Sequence, residues 1–189
     1  MPEPVGVRHA QAQRTRSGVL EAAAAVFVKQ GVQAPVRDIA ERAGVGVGTV
    51  YRNFATRADL VTAVYRHQID ACAALAPRLV AECASPFTAL TLWTDAFVDF
   101  LVTKHGLGAA LGSADPGLEN LHARMLDTLV PACVTLLEAC AAADELRPGV
   151  TAYPLMRAIG NLCITGPDYD QADAKRMVAL LLTGCRNTT

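Results

Sequence analysis

Aromatic residues are scarce here, only 5% of the 189 positions with a single tryptophan, although 52% of the chain is hydrophobic. The apolar content comes from Ala, Leu and Val instead. Alanine-rich sequence favours close-packed helices over sheets, whose faces lean on β-branched and aromatic side chains. An all-α fold is expected. Membrane-length runs are also lacking, since the longest uncharged stretch, Cys83 to Thr94, falls short of the ~18 apolar residues a span requires. The polar Met1 to Gln13 has no apolar core of the kind a signal peptide carries, so a cytoplasmic location without membrane contact is expected.

Paired metal and redox motifs are missing as well. Cys72, Cys83, Cys133, Cys140, Cys163 and Cys185 form no C-x-x-C pair, and His9, His67, His105 and His122 lie at no ligand spacing. Buried free thiols, with no metal and no cofactor, are the expectation. No Ser-His-Asp-like set or paired carboxylates stand at a spacing that would support catalysis, which argues against an enzyme. Net charge is only −1, but it is polarised: eight Lys/Arg stand against five Asp/Glu through residue 60, and nine against thirteen beyond it. A basic head on an acidic body suits a DNA reader with a second module of another kind.

Apolar periodicity predicts a helix from about Gln13 to Gln30, with Val19, Leu20, Ala23, Val26 and Phe27 on one face and Gly31 as its stop. A short helix from Pro35 to Ala43 and another from Val47 to Phe54 follow, the first buried through Ile39, Ala40 and Ala43, the second through Val50 and Phe54. A fourth runs from Arg57 to about Ala76, where Pro77 should break or kink it, and joins head to body. Further helices are predicted at Pro86 to Lys104, Gly106 to Gly112, Pro116 to Ala143 with a proline kink at Pro131, Ala152 to Thr165, and Gln171 to Arg186. The chain thus divides into a head of residues 1–56, a three-helix helix-turn-helix unit, and a helical-bundle body of residues 57–189.

Two short helices joined by Gly44-Val45-Gly46 form the arrangement that places a second helix in a major groove. Gly44 permits a positive φ, Val45 plugs the corner, and Gly48 removes a side chain where the helix backbone must approach DNA closely. Thr49, Tyr51, Arg52 and Asn53 then face outward. The glycines between 44 and 48 are no phosphate loop, for they follow a helix and lack the third glycine of G-x-G-x-x-G.

The ordered series Arg16-x-x-Val19-Leu20-x-x-Ala23-x-x-Val26-Phe27-x-x-x-Gly31, then Val36-Arg37-Asp38-Ile39-Ala40-x-x-Ala43-Gly44-Val45-x-x-Gly48-Thr49-Val50-Tyr51-x-x-Phe54, resembles the signature of TetR-like repressors. The resemblance covers roughly residues 14–65. It implies that Arg37 and Val47 face bases, that Thr49 and Tyr51 bind phosphates, and that Arg52, Asn53 and Arg57 lie at the groove edge or backbone. Arg14 and Arg16 would steer an N-terminal arm toward phosphate or the minor groove. Gly46 departs from a common capping Ser, and Ala34-Pro35 from a Thr pair, which removes hydroxyl contacts. Two residues have other uses open to them: Val47 to pack, and Arg37 to pair with Glu41 one helical turn away.

One recognition helix buries too little to specify a site, so a homodimer reading two half-sites of a double-stranded operator is expected. Ile159, Met177, Leu180 and Leu181 are its candidate interface, because the apolar residues near 180 cover more than one helix face. The resemblance implies the same, a bundle of the two terminal helices from each protomer. Trp93, Phe97, Phe100 and Leu101 form one apolar stripe in the middle helices and Leu121, Met125, Leu129, Cys133 and Leu136 another. Such stripes ordinarily serve as core, but beside a proline-kinked helix Trp93, Phe97, Phe100, Met125 and Leu129, with His122, Tyr153 and Asn161 as polar fixers, also outline a pocket for a small apolar or amphipathic effector. The expected function is a ligand-responsive repressor. A ligand-blind architectural DNA protein would lack such a pocket, and an enzyme or carrier would use it differently.

Overall fold

The computed structural model describes the backbone of residues 5–111 and 116–187 and the side chains of residues 10–102 and 120–187. Its elements are helical: α1 (Val5–Gln30), α2 (Val36–Arg42), α3 (Val47–Asn53), α4 (Arg57–Glu82), α5 (Pro86–Leu111), α6 (Pro116–Ala142), α7 (Ala152–Leu162) and α8 (Gln171–Cys185). Among the described residues extended pairing is confined to two isolated bridges, Leu146 with Arg186 and Gly166 with Tyr169.

Packing divides the chain inside α4. One unit runs through Gln68 and takes in the end of α5 from Gly106; the other holds Ile69–His105 and α6 to α8. In the first unit α1 packs on α2 and α2 on α3. Its core is the predicted set, Val19, Leu20, Ala23, Val26, Phe27, Ile39, Ala40, Val50 and Phe54, without Ala43, which caps α2 at the turn and is only half-buried; Leu60, Val61, Val64 and Tyr65 from α4 join it. In the second unit Ile69, Cys72, Leu90, Trp93, Phe97, Leu129, Leu136, Ile159, Val178 and Leu182 are buried together. The Trp93 indole N–H donates to the Cys72 carbonyl at 2.9 Å and joins α5 to α4. Lys175 on α8 reaches Asp95 at 3.0 Å and Asp99 at 2.7 Å on α5.

Three helix boundaries differ from expectation. α1 begins at Val5, well before Gln13, because polar composition excludes an apolar face but not helical backbone. α4 continues through Pro77 to Glu82: Pro77 is exposed and Ala73, whose carbonyl loses its helical donor, is only half-buried, so water reaches that oxygen. The helices expected either side of His105 are one, α5, since Gly106 keeps the N–H a helix needs and costs only ~1 kcal/mol. Pro131 lies inside α6, as expected, and on its solvent side. The expected break at Ala114-Asp115 and the side chains of His9 and His105 lie outside the described residues.

The segment Asn120–Ala142 of α6 is, contrary to the reading of uncharged runs, long and apolar enough to cross a membrane by length and composition. Its residues nevertheless divide by face. Leu121, Met125, Leu129, Cys133, Leu136 and Cys140 are buried at three- and four-residue spacing, whereas Arg124, Asp127 and Glu138 are exposed. One buried stripe and one charged face make a core helix.

Candidate nucleic-acid interface and body cavity

The turn between α2 and α3 is built by backbone hydrogen bonds. Gly44 adopts φ +66°, its N–H donates to the Glu41 carbonyl at 3.1 Å, and the Val45 N–H donates to the Ala40 carbonyl at 3.0 Å. This 6→1 and 5→2 pair closes the C-terminus of α2 in a Schellman motif, which requires the left-handed residue that glycine supplies. Gly46 is the N-cap of α3, and its carbonyl accepts from the Thr49 N–H at 2.8 Å. Only Val50 of α3 is fully buried, and Phe54 follows it into the core. The opposite face is left to solvent: Val47 is 38% and Tyr51 53% exposed, with Gly48 and Arg52 exposed beside them.

The arginines of this unit divide into two kinds. Arg37 projects into solvent, its side chain 82% exposed, and its ion-pair contact is the adjacent Asp38 at 3.9 Å and not Glu41. Arg14 is exposed on α1. Arg16, by contrast, donates to the Asn53 carbonyl at 3.2 Å and lies 4.6 Å over the Phe54 ring, binding α1 to the end of α3. Arg57 donates to the carbonyls of Val32, Gln33 and Ala34, which fastens the loop after α1 to the start of α4. Arg52 lies back along its own helix, donating to the Gly48 carbonyl at 3.1 Å and the Thr49 hydroxyl at 3.3 Å, and the Asn53 amide donates to the Thr49 carbonyl at 2.8 Å.

In the second unit a cavity of about 210 Å³ lies between α5, α6 and α7. Five of the expected pocket residues line it: Phe97, His122, Met125, Tyr153 and Asn161. Trp93, Phe100 and Leu129 do not. They are packed into the core, with Trp93 and Phe97 stacked at 5.3 Å and Phe97 and Phe100 at 6.2 Å, because a stripe on a helix buried from several sides serves packing and pocket together. Leu101, on the same expected stripe as Phe97, also lines it, and Leu126, Met156, Arg157, Gly160 and Ile164 join the described lining without having been foreseen. Phe97, Leu101, Met125 and Met156 are buried and make an apolar floor; Tyr153, Arg157, Asn161 and Ile164 are exposed and make the rim. Among the described residues no group of three or more His, Cys, Asp or Glu is placed to hold a metal ion.

Comparison with known proteins places these two units. Residues 19–64 match the family model described as bacterial regulatory proteins, tetR family, and residues 85–187 match that of the C-terminal domain of SbtR-like transcriptional regulators. The chain belongs to the TetR family of transcriptional regulators. A TetR transcriptional regulator from Streptomyces coelicolor is 34% identical over 92% of this chain and 99% of its own, with a TM-score of 0.78. A TetR regulatory protein from Mycobacterium vanbaalenii is 30% identical over 95% of this chain and 99% of its own, with a TM-score of 0.73. The repressor KstR2 of Mycobacterium tuberculosis is 36% identical over 81 residues, 42% of this chain and 40% of that protein. The matched stretch is thus less than half the length of this curated relative.

For this TetR-family protein, the expected dimer residues are split by α7 and α8. Ile159 is fully buried in the protomer's own core and is unavailable to a partner, since it stands on the inward face of α7 with Leu155 and Met156. Met177 and Leu180 are exposed, Leu180 by 65%, and Leu181 is half-buried beside them. Ala174, Val178 and Leu182 face inward, so α8 carries an apolar residue on each of two faces. Asp170 starts this helix with a capping box, accepting from the Asp173 N–H at 2.9 Å while the Asp173 carboxylate accepts from the Asp170 N–H at 3.0 Å.

Proposed function

We propose that this TetR-family regulator is a homodimeric repressor that leaves a palindromic operator when a small apolar or amphipathic effector enters the α5–α6–α7 cavity. The observation that carries the reading is the coexistence in one chain of an outward polar and aromatic face on α3 and a partly enclosed cavity with an apolar floor in a separate unit. A DNA protein without a switch has no need of the second. In this reading residues 1–56 read DNA and residues 57–189 sense and dimerise, with α4 shared between the two packing units. The name of KstR2 as a transcriptional repressor supports the direction of control.

On the head, Arg37 and Val47 reach base edges and Tyr51 and Thr49 reach phosphates; Gly48 permits the close approach. Arg14 is free to add a phosphate contact. Arg16 and Arg57 act mainly by holding α1, α3 and α4 in place, and Arg52 must leave its bonds to α3 before it meets DNA. Met177, Leu180 and Leu181 of α8 meet their copies in the partner. The role needs no covalent chemistry and places the protein where DNA is, in the cytoplasm of its cell.

Effector control has a thermodynamic requirement, because a ligand that binds both states equally shifts nothing. Discrimination of ~100-fold between DNA-competent and incompetent states supplies about 2.7 kcal/mol per site. The test begins with selection of bound duplexes from a random pool. A palindrome with half-sites about one helical turn apart, or a multiple of that, is expected. Tyr51→Ala should then weaken binding to all duplexes and flatten its salt dependence, while Arg37→Ala should also relax sequence preference. Wild-type affinity and sequence preference in both variants would overturn the assignment of α3 as the reading helix.

A further inference from the structure

The cations of the second unit are almost all spoken for. Arg78 pairs with Glu82, Arg124 with Asp70 at 2.8 Å, Lys175 with Asp95 and Asp99, and Arg176 with Asp173. Arg147 donates to the Arg186 carbonyl, and Arg186 lies over the Phe87 ring. Arg157 differs. Among the described residues no carboxylate lies within ion-pair distance of it and no carbonyl or ring receives it, although residues 61–189 hold more acidic than basic side chains. It is also the only charged residue of α7. This cation stands at the rim of the cavity, where no described lining residue is acidic and where Tyr153 and Asn161 add hydrogen-bonding groups.

Below it the floor is apolar: Phe97, Leu101, Met125 and Met156 are each nearly or fully buried. An apolar site of about 150 Å³ is known to accept benzene. The present volume of about 210 Å³ therefore has room for such a ring with a short arm, or for a chain of about six to eight carbons. An apolar floor beneath a single unpaired guanidinium selects for a molecule with one anionic end, because carboxylate and guanidinium form strong charge-assisted hydrogen bonds.

We propose that the cavity takes a small monocarboxylate, its ring or short chain among Phe97, Leu101, Met125 and Met156 and its carboxylate on Arg157. As the identity of the effector, this rests on the repressor reading above; as a statement of what the cavity binds, it is tested separately. Octanoate and benzoate are titrated into the full-length protein beside their uncharged counterparts octanamide and benzamide, and binding is followed calorimetrically and through Trp93, whose stacking on Phe97 couples its fluorescence to the cavity. At least one carboxylate should bind ten-fold or more tightly than its amide. Arg157→Gln should abolish that preference while keeping the amide's affinity, which shows the cavity intact, and Arg157→Lys should restore part of it.

Equal affinity for acid and amide, or a preference that survives Arg157→Gln, overturns the proposal. So does failure of all four probes to bind. Operator binding is measured with the same probes. Carboxylate binding that leaves the operator complex intact supports the cavity assignment and counts against the repressor reading, whereas release by the amide as readily as by the acid does the reverse.

Discussion

Replacing Gly48 with Ala separates the stability of α3 from its use. Gly48 sits in the first turn of the helix, its φ is not positive, and a Cβ built on it meets nothing within 4 Å. No steric term therefore opposes the change within the protein, and the backbone entropy that glycine loses on folding is reduced. Alanine is favoured over glycine in helix interiors by ~1 kcal/mol. At a first-turn position we expect about half of that, a gain of ~0.5 kcal/mol, and a rise in Tm of about 1–2 °C if the chain unfolds as one unit. On the operator the sign reverses. A methyl group on the outward face, between the exposed Val47 and Thr49, holds the helix backbone away from the groove, and affinity should fall at least ten-fold, ~1.4 kcal/mol. Calorimetric unfolding and fluorescence anisotropy on a selected duplex read the two effects. Gly44→Ala is the contrasting control: it also meets no atom, but its φ of +66° makes alanine cost ~1–2 kcal/mol. A Gly48→Ala protein that is more stable and binds operator as tightly as wild type would show that DNA does not approach α3 at this residue.

Arg57→Met removes the donor to three carbonyls, those of Val32, Gln33 and Ala34, and should destabilise the first unit by about 1–2 kcal/mol after allowance for its partial exposure, read as a lower urea midpoint. An unchanged midpoint would mean that water replaces the guanidinium without loss. Leu180→Asp, at a site 65% exposed in the protomer, should alter protomer stability by no more than ~0.5 kcal/mol while sedimentation shifts from dimer to monomer; a dimer that persists would move the interface away from α8. Burial pushes the Cys72 and Cys133 thiols up to about 12 and those of Cys140 and Cys163 up to about 11, and it also raises that of Cys185; since only Cys83 and Cys185 are half-buried and reachable, a thiol reagent at pH 8 should modify these two first in the native protein. Mass mapping that finds Cys133 among the early products would contradict this order.

The head was legible because its constraints are local. Gly31 and Gly44 end helices through the left-handed region, and the buried faces of α1 to α3 follow from three- and four-residue spacing within each helix. Two of the misplaced helix ends share one cause, a breaker judged without its surroundings. Pro77 sits on a solvent face where an unpaired carbonyl finds water, and Gly106 costs too little to divide a helix of such length. The family resemblance assigned Arg16 and Arg57 outward, toward DNA. Their use as internal braces depends on carbonyls 37 and about 24 residues away along the chain, which no local pattern announces.

The cavity was legible in part, and the omissions follow from what helical periodicity measures. Apolar spacing marks which residues of a helix face inward, so it found Phe97 and Met125, but it gives Trp93, Phe100 and Leu129 the same character. A void arises where neighbouring helices fail to close on one another, and that depends on the relative offset of three helices distant in sequence. Gly160 contributes by the side chain it lacks and Ile164 by lying just past the end of α7, and neither carries a periodic signal. Arg157 was passed over because a lone charge on an amphipathic helix ordinarily marks a solvated face. Here the helix places that charge on the margin between its buried face, Met156 and Ile159, and water, so the same residue that keeps α7 soluble also stands over an apolar opening. What distinguishes it from the other described cations of the unit is that each of those has a partner within the protein, which only the folded arrangement reveals.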